Sequence, residues 1–441
     1  MSQSTPAASP PAPTPLERDL PHALYPLTAA PPPATPMLTS DRRAQVVVVG
    51  GGYTGLSTAL HLAERGVDVV LLEAHEPGWG AAGRNGGQVN AGLKHEPIAV
   101  ERALGPVYGP RLVGLASQAP QYLFDLVARH GIRCEAERGG TLRAAYHDSH
   151  VAALRESQRQ WHDRGVQLTM LDAAAVAAAT GTDRYVAALH DARGGAVNPL
   201  AFARGLAAVA LRHGASIHGE TRALRLERRG ANWAVSTPRG TVLADRVVLA
   251  TDGYSDDLWP GLRTSIVPVF SSIVATEPLP PAIARAVMPT RAVLYEVGAI
   301  TAYYRRDAAG RLLMGGRGAQ HAASSLREYR HLFRYAERLW PGLANVTWTH
   351  WWNGQFALTP DFYPRLHAPA PGVFIALGYS GRGVALATAL GRELAAAADG
   401  TSLNDLPIPA TLLQAIAFHR FWRVGVTAQV LLGRVRDRLG V

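Results

Sequence analysis

The chain predicts an α/β protein, in an α+β arrangement of two domains interleaved along the sequence, and three observations carry this prediction. Val46 to Val49 form a β-branched run followed by Gly50, Gly52 and Gly55 at GxGxxG spacing, the pattern of a parallel strand buried on both faces that turns into a helix. Two more strands run into small-residue or glycine-rich turns far downstream, at Arg246–Tyr254 and Val373–Leu386. Between them, Ile266–Thr276 and Thr301–Arg305 read as strands. Asp307–Gly310 reads as the turn of a hairpin returning through Leu312, Leu313 and Met314, so the second domain is an antiparallel sheet.

The first unit is Rossmann-like, and each of its parts has a reason. Glycines at positions 50, 52 and 55 let backbone approach phosphate. From Leu56 to Glu64 the pattern is helical, with Leu56, Leu60 and Ala63 on one face, so the free N–H groups and positive dipole end of this helix point at a pyrophosphate. A second buried strand, Val67–Leu72, ends in Glu73, 18 residues after Gly55. A carboxylate there accepts from a ribose 2′-hydroxyl and disfavours a 2′-phosphate. These features define a dinucleotide, NAD or FAD. The loop Gly80–Gly87 and the closing turn at Arg246–Tyr254, largely through a family resemblance, and the strand-turn-helix at Val373–Leu386 favour FAD. The last of these aims a second helix N-terminus at the pyrimidine edge of a flavin.

The pieces GGGYTGLS, GWGAAGRNGGQ, DRY…GG…NPL, YYRRDAAGRLLMGG, LGYSGRGV and RDRLGV, in this order from about Asp41 to Val441, resemble the D-amino-acid oxidase-like flavoproteins that include glycine and sarcosine oxidases. They most closely resemble the gamma-glutamylputrescine oxidase branch. The chain departs from that branch at Arg382, where a histidine follows GYSG, and at Asn198, where a histidine precedes Pro-Leu. Flavin binding survives both departures, and the amine stays open.

The resemblance implies that FAD contacts come from Gly50, Gly52, Tyr53, Thr54, Gly55, Glu73, Arg84, Asn85, Gly86, Gly87, Gln88, Thr251, Gly253, Gly354, Gly378, Ser380, Gly381, Arg382, Gly383 and Val384. It implies noncovalent FAD, since the segment Trp351–Gln355, where some relatives attach flavin through cysteine, contains none. Candidates for the substrate face are Tyr303, Tyr304, Arg305, Arg317, Trp352 and Tyr379. Of these, Tyr304, Arg305, Trp352 and Tyr379 are taken as the reacting site. Arg305 leads, because an arginine within a hydrophobic strand wants a carboxylate partner. The implied reaction, in polyamine or related amine catabolism, is oxidation of a small, gamma-glutamylputrescine-like amine at its C–N bond to an imine, hydrolysis to an aldehyde and ammonia, and reoxidation by molecular oxygen with release of hydrogen peroxide. An oxidase of glycine, sarcosine or a D-amino acid is the alternative. A flavoprotein of assembly or regulation and an NAD-dependent dehydrogenase are more distant ones.

Composition narrows the remaining classes. A chain of 441 residues, 47% hydrophobic, is long enough for more than one domain. The net charge of +10 is carried by scattered arginines, with Lys94 the only lysine; no basic-aromatic module for nucleic acid is present. A single cysteine, Cys134, excludes a disulfide framework within the chain and suits a reducing, cytoplasmic setting. The sixteen histidines contain no HExxH pair, so no metal is expected. No apolar run approaches the roughly 18 to 20 residues of a membrane span. Residues 1–40 hold 11 of the 31 prolines and read as a disordered tail without a core or secretory signal. The expected division is 41–95, 190–255 and 350–400 for the FAD domain, 96–189 and 256–349 for the substrate domain, and 401–441 for a C-terminal helical segment that packs on the body or on a second copy in a homo-oligomer.

Overall fold

The computed structural model describes residues 15–298 and 301–439. Two sheets carry it. In the first, Arg42–Val49 lies between Gly240–Leu249 and Val69–Leu72, parallel to both, and Val373–Leu377 extends the parallel set beyond Gly240–Leu249. Val46 to Val49 are buried, as a strand covered on both faces requires. The helix Tyr53–Glu64 packs on this sheet and is locked to Gly383–Ala398. Ser57 Oγ donates to Thr388 O at 2.7 Å and Thr58 Oγ1 to Gly391 O at 3.0 Å. A Cβ on Gly391 would lie 2.6 Å from Ser57 Cβ, so glycine is what lets the two helices lie this close.

The second sheet runs in the order Trp348–Leu358, Val267–Thr276, Leu312–Arg317, Tyr303–Arg306, Val293–Glu296, Thr141–Ala145, Ala187–Asp191, Thr169–Asp172. The hairpin forms as its sequence suggests: Tyr303–Arg306 pairs antiparallel with Leu312–Arg317, and Gly310 takes the left-handed φ of +82° that closes the turn.

Several expectations need correction. The segment 15–40 is ordered: Leu16, Leu24, Tyr25 and Leu38 are buried, and Tyr25 meets Trp352 edge to face at 5.0 Å. Its prolines set extended connections between apolar anchors; residues 1–14 lie outside the described residues. Trp348–Leu358 pairs with Val267–Thr276, so the stretch from 350 begins in the antiparallel sheet. The strand Ala187–Asp191 likewise pairs with Thr141–Ala145, which takes the start of the 190–255 segment into that sheet. The helix Pro97–His130 buries Leu112, Ala116, Leu123 and Leu126 in one core with Leu56, Leu60 and Leu390 of the dinucleotide unit and with Ala145 and Leu189 of the second sheet, so it packs between the two expected domains. At the C-terminus the helix spans Trp422–Leu439 only. The preceding stretch is held irregularly, with Ile416 N donating to Thr264 O, while Val424, Leu431, Leu432 and Val435 are exposed.

Candidate active site

One cavity of about 600 Å³ runs from the glycine turn of the first sheet to the face of the second. At one end lie Gly50, Gly52, Tyr53 and Thr54, with Glu73 beside them. Gly50 has φ +109°, and a Cβ there would lie 2.7 Å from Ala250 O. A Cβ on Gly55 would lie 1.9 Å from Gly50 O; Gly55 is a packing residue outside the cavity lining. Gly52 differs: a Cβ there would meet nothing nearer than Ala82 at 3.9 Å, so space for a ligand, not protein packing, explains this glycine. The Glu73 carboxylate accepts from Gly51 N at 2.6 Å and His75 N at 2.9 Å. Burial pushes its pKa up, and the amides of His75, Gly51 and Ala74 pull it back.

The loop after the second strand is built by Asn85. Its amide donates to Tyr53 OH and to the carbonyls of Ala81 and Ala82, and its Oδ1 accepts from Gly87 N at 2.8 Å. Arg84 stacks over Trp79 at 4.0 Å and donates Nε to Trp79 O, while its buried Nη2 has no hydrogen bond. Gln88 lines the cavity and donates to the carbonyls of Leu294 and Tyr304. Gly86 and Gly354 fit against Tyr303 and Arg84, where a Cβ would come within 2.6 and 2.7 Å. Gly87, behind the loop at φ +70°, fits against Val197 O at 2.2 Å.

The far side is closed by Thr251 and by the turn Tyr379–Gly383. Ser380 and Gly381 adopt φ of +51° and +86°, and Ser380, Gly381, Arg382, Gly383 and Val384 line the cavity. Gly378 and Gly253 stand behind the lining. The first fits against Thr359 and the second against Phe356, each closer than 3 Å for an added Cβ. Asp252, which the sequence reading missed, joins these pieces: Oδ1 accepts from Gly378 N at 2.8 Å and Oδ2 from Ala357 N at 3.3 Å. It followed Thr251 in the strand-end turn, where its left-handed φ of +39° could not be read.

The four residues taken as the reacting site separate. Tyr379 lines the cavity, with its hydroxyl sharing a 2.6 Å hydrogen bond with Thr54 Oγ1. Tyr304 faces the other way, into a core where its hydroxyl meets Tyr185 OH at 2.7 Å and Tyr185 donates to the buried Glu296 at 2.8 Å. Tyr303, one residue earlier on the alternating strand, is the tyrosine that lines the cavity, bonded to Ser271 at 2.8 Å. Arg305 lies behind the wall: Nε donates to Gly86 O at 2.7 Å and Nη2 to Val197 O at 3.2 Å. Trp352 Nε1 donates to Arg84 O at 2.9 Å. Arg305 and Trp352 therefore grip carbonyls of the Arg84–Gly87 loop from outside, and neither faces the cavity.

Five cations line it: Arg84, stacked on Trp79, Arg222, paired with Asp256, and Lys94, Arg317 and Arg382. Arg382 donates to Tyr295 OH at 2.8 Å, and Arg317 lies over Phe356 at 5.2 Å. Lys94, whose role the sequence reading missed, is pushed down to about 8 by desolvation and by the nearby Arg382, Arg317 and Arg143. The acids of the lining are engaged elsewhere: Glu73 and Asp252 on backbone amides, Asp256 on Arg222 at 2.8 Å. Among the described residues no carboxylate pairs with Lys94 or Arg317.

The lining fits a dinucleotide. The helices Tyr53–Glu64 and Gly383–Ala398 both start at the cavity without a side-chain cap, leaving their first N–H groups for an anion, and the open face of Gly52 and the unbonded Arg84 Nη2 lie alongside. Such a fold and cavity define a dinucleotide-dependent oxidoreductase. The family model for FAD dependent oxidoreductases of the DAO type matches residues 45–397; the chain belongs to that family, and its cofactor is FAD. It is 33% identical over 403 residues to the probable oxidoreductase OrdL of Rhizobium meliloti (strain 1021), covering 88% of this chain and 92% of that protein. It is also 33% identical over 415 residues to gamma-glutamylputrescine oxidoreductase of Escherichia coli (strain K12), covering 92% and 95%. The crystal structure of glycine oxidase from Geobacillus kaustophilus shares the fold, with a TM-score of 0.70 over 82% of this chain and 96% of that one at 22% identity.

Proposed function

We propose that this enzyme oxidises the C–N bond of an amine that carries a carboxylate, with a gamma-glutamylated diamine such as gamma-glutamylputrescine as the substrate type and molecular oxygen as the acceptor. The observation that carries this reading is the cation set Lys94, Arg317 and Arg382 in a cavity wall with no free acid. A bare diamine entering there would meet like charge. A carboxylate would supply the missing partner. The 33% identity to gamma-glutamylputrescine oxidoreductase across nearly the full length of both chains supports the gamma-glutamyl form.

In this reading FAD is held without a covalent link by Gly50–Thr54, Glu73, Arg84–Gly86, Thr251 and Ser380–Val384, and it supplies the acceptor for the two electrons and the proton of the C–H bond. The chain's own residues bind and orient. Lys94 and Arg317 anchor the carboxylate, Tyr303 and Tyr295 wall the amine-bearing carbon, and the aromatic sides exclude water so that the amine reacts unprotonated. The helix Gly383–Ala398 presents its positive end where negative charge develops. An oxidase of a small amino acid is the second reading, because its carboxylate would use the same cations. Turnover measured as hydrogen peroxide release separates the two: gamma-glutamylputrescine should exceed glycine, sarcosine and D-alanine in kcat/KM, and the reverse order would transfer the assignment.

A further inference from the structure

Away from the cavity, the C-terminal ends of three helices meet. Glu64 is the last residue of Tyr53–Glu64, His130 the last of Pro97–His130, and His213 caps Pro199–Arg212. One ligating atom from each residue lies within 4.8 Å of the other two. His130 Nε2 stands 3.2 Å from Glu64 Oε1, with the histidine side chain only 9% exposed, and that nitrogen makes no hydrogen bond. The rings of His130 and His213 stand edge to face with centroids 5.5 Å apart. A third imidazole nearby is already engaged: His61 Nδ1 is bonded to Ser57 O at 2.7 Å and Nε2 to Tyr122 OH at 2.8 Å.

Two imidazoles and one carboxylate from three converging chains are a ligand set for zinc, which binds such groups at about 2.0 to 2.2 Å in tetrahedral geometry. Glu64 and His213 are exposed residues, and the Glu64 carboxylate already stands between His130, at 3.2 Å, and His61, at 3.9 Å, so closing on a cation needs side-chain rotation alone. Each helix C-terminus contributes the equivalent of about half a negative charge, so the three ends attract a cation beyond what the carboxylate does. Arg65, Arg129 and Arg212 at the same ends oppose it. No spacing rule could have found this set, because its members are 66 and 83 positions apart.

We infer that Glu64, His130 and His213 form a binding site for a divalent cation of the zinc class, with the fourth position left to water. The site staples together the ends of three helices, one of which offers its other end to the dinucleotide. It plays no part in the oxidation.

The flavin-loaded enzyme, stripped with a chelator and dialysed, is titrated with zinc alone; bound metal is measured by competition with a chromophoric chelator and Tm by thermal scanning. One zinc per chain and a Tm that rises with zinc concentration are expected. His213→Ala and Glu64→Gln should each weaken zinc binding at least tenfold, since even partners that only orient a ligand are worth about 10- to 100-fold, while the flavin spectrum stays native. His213 is exposed, so its truncation leaves the fold intact. Cobalt(II) in the unaltered chain offers an independent reading through the absorbance of tetrahedral coordination. Zinc bound equally by wild type and both variants, or no bound zinc in the flavin-loaded wild type, would overturn the inference.

Discussion

In the proposed function, the single side chain of Lys94 sets both specificity and pH response. As the only lysine of the chain, it supplies a charge that burial and neighbouring arginines hold at a pKa of about 8. A carboxylate needs the ammonium form, which is present below that pH and lost above it. For the free enzyme, kcat/KM for a carboxylate-bearing amine should therefore fall as pH rises through about 8. Lys94→Met should lower kcat/KM about 10- to 100-fold at pH 7, the worth of a charge-assisted hydrogen bond, and remove that limb; a limb unchanged in the variant would show that another group titrates there. Arg305 carries the opposite lesson. It was the leading substrate anchor from sequence, yet its guanidinium is spent on Gly86 O and Val197 O. Arg305→Ala should weaken flavin retention about tenfold or more, read by ultrafiltration of the yellow protein, with KM for the amine nearly unchanged in the flavin-loaded fraction. A raised KM at full flavin content would restore the earlier assignment.

At the scale of elements, the strand-turn-helix units were readable because their glycines answer to local constraints: φ at Gly50 and Gly381, close packing at Gly55. Gly52 answers only to the ligand. Gly52→Val should leave the apoprotein folded, with a near-native Tm, and abolish flavin binding; a flavin-loaded variant would contradict the cradle. The substrate wall was read less well, for a physical reason. Alternation along Tyr303–Arg306 says that neighbours face opposite ways but not which way, and Tyr303, not Tyr304, lines the cavity. Arg305 shares the Tyr303 face but is covered by the Arg84–Gly87 loop, a contact more than 200 residues distant in sequence. Asp252 and Lys94 sit in turns and connections, where composition carries no signal of direction.

Across the whole molecule, residues 15–40 behave unlike their composition. A proline-rich stretch reads as unable to fold by itself, but here it needs only to supply anchors to a core built by others. Leu16, Leu24 and Tyr25 are fully or nearly fully buried, each worth about 1.5–3 kcal/mol when buried. Tyr25 backs Trp352, which in turn holds Arg84 O. Deleting residues 1–40 should lower Tm by several degrees and loosen flavin; a truncated protein with wild-type Tm and flavin content would show that the segment contributes nothing.

In the proposed function the cavity selects an amine by its carboxylate. This selection is tested most directly by the anaerobic absorbance of the flavin-loaded protein, titrated in parallel with gamma-glutamylputrescine and with putrescine, which carries the same amine without the carboxylate. The oxidised flavin band should be bleached stoichiometrically by the first and left standing by the second. Equal bleaching by putrescine, or no bleaching by either, would contradict it.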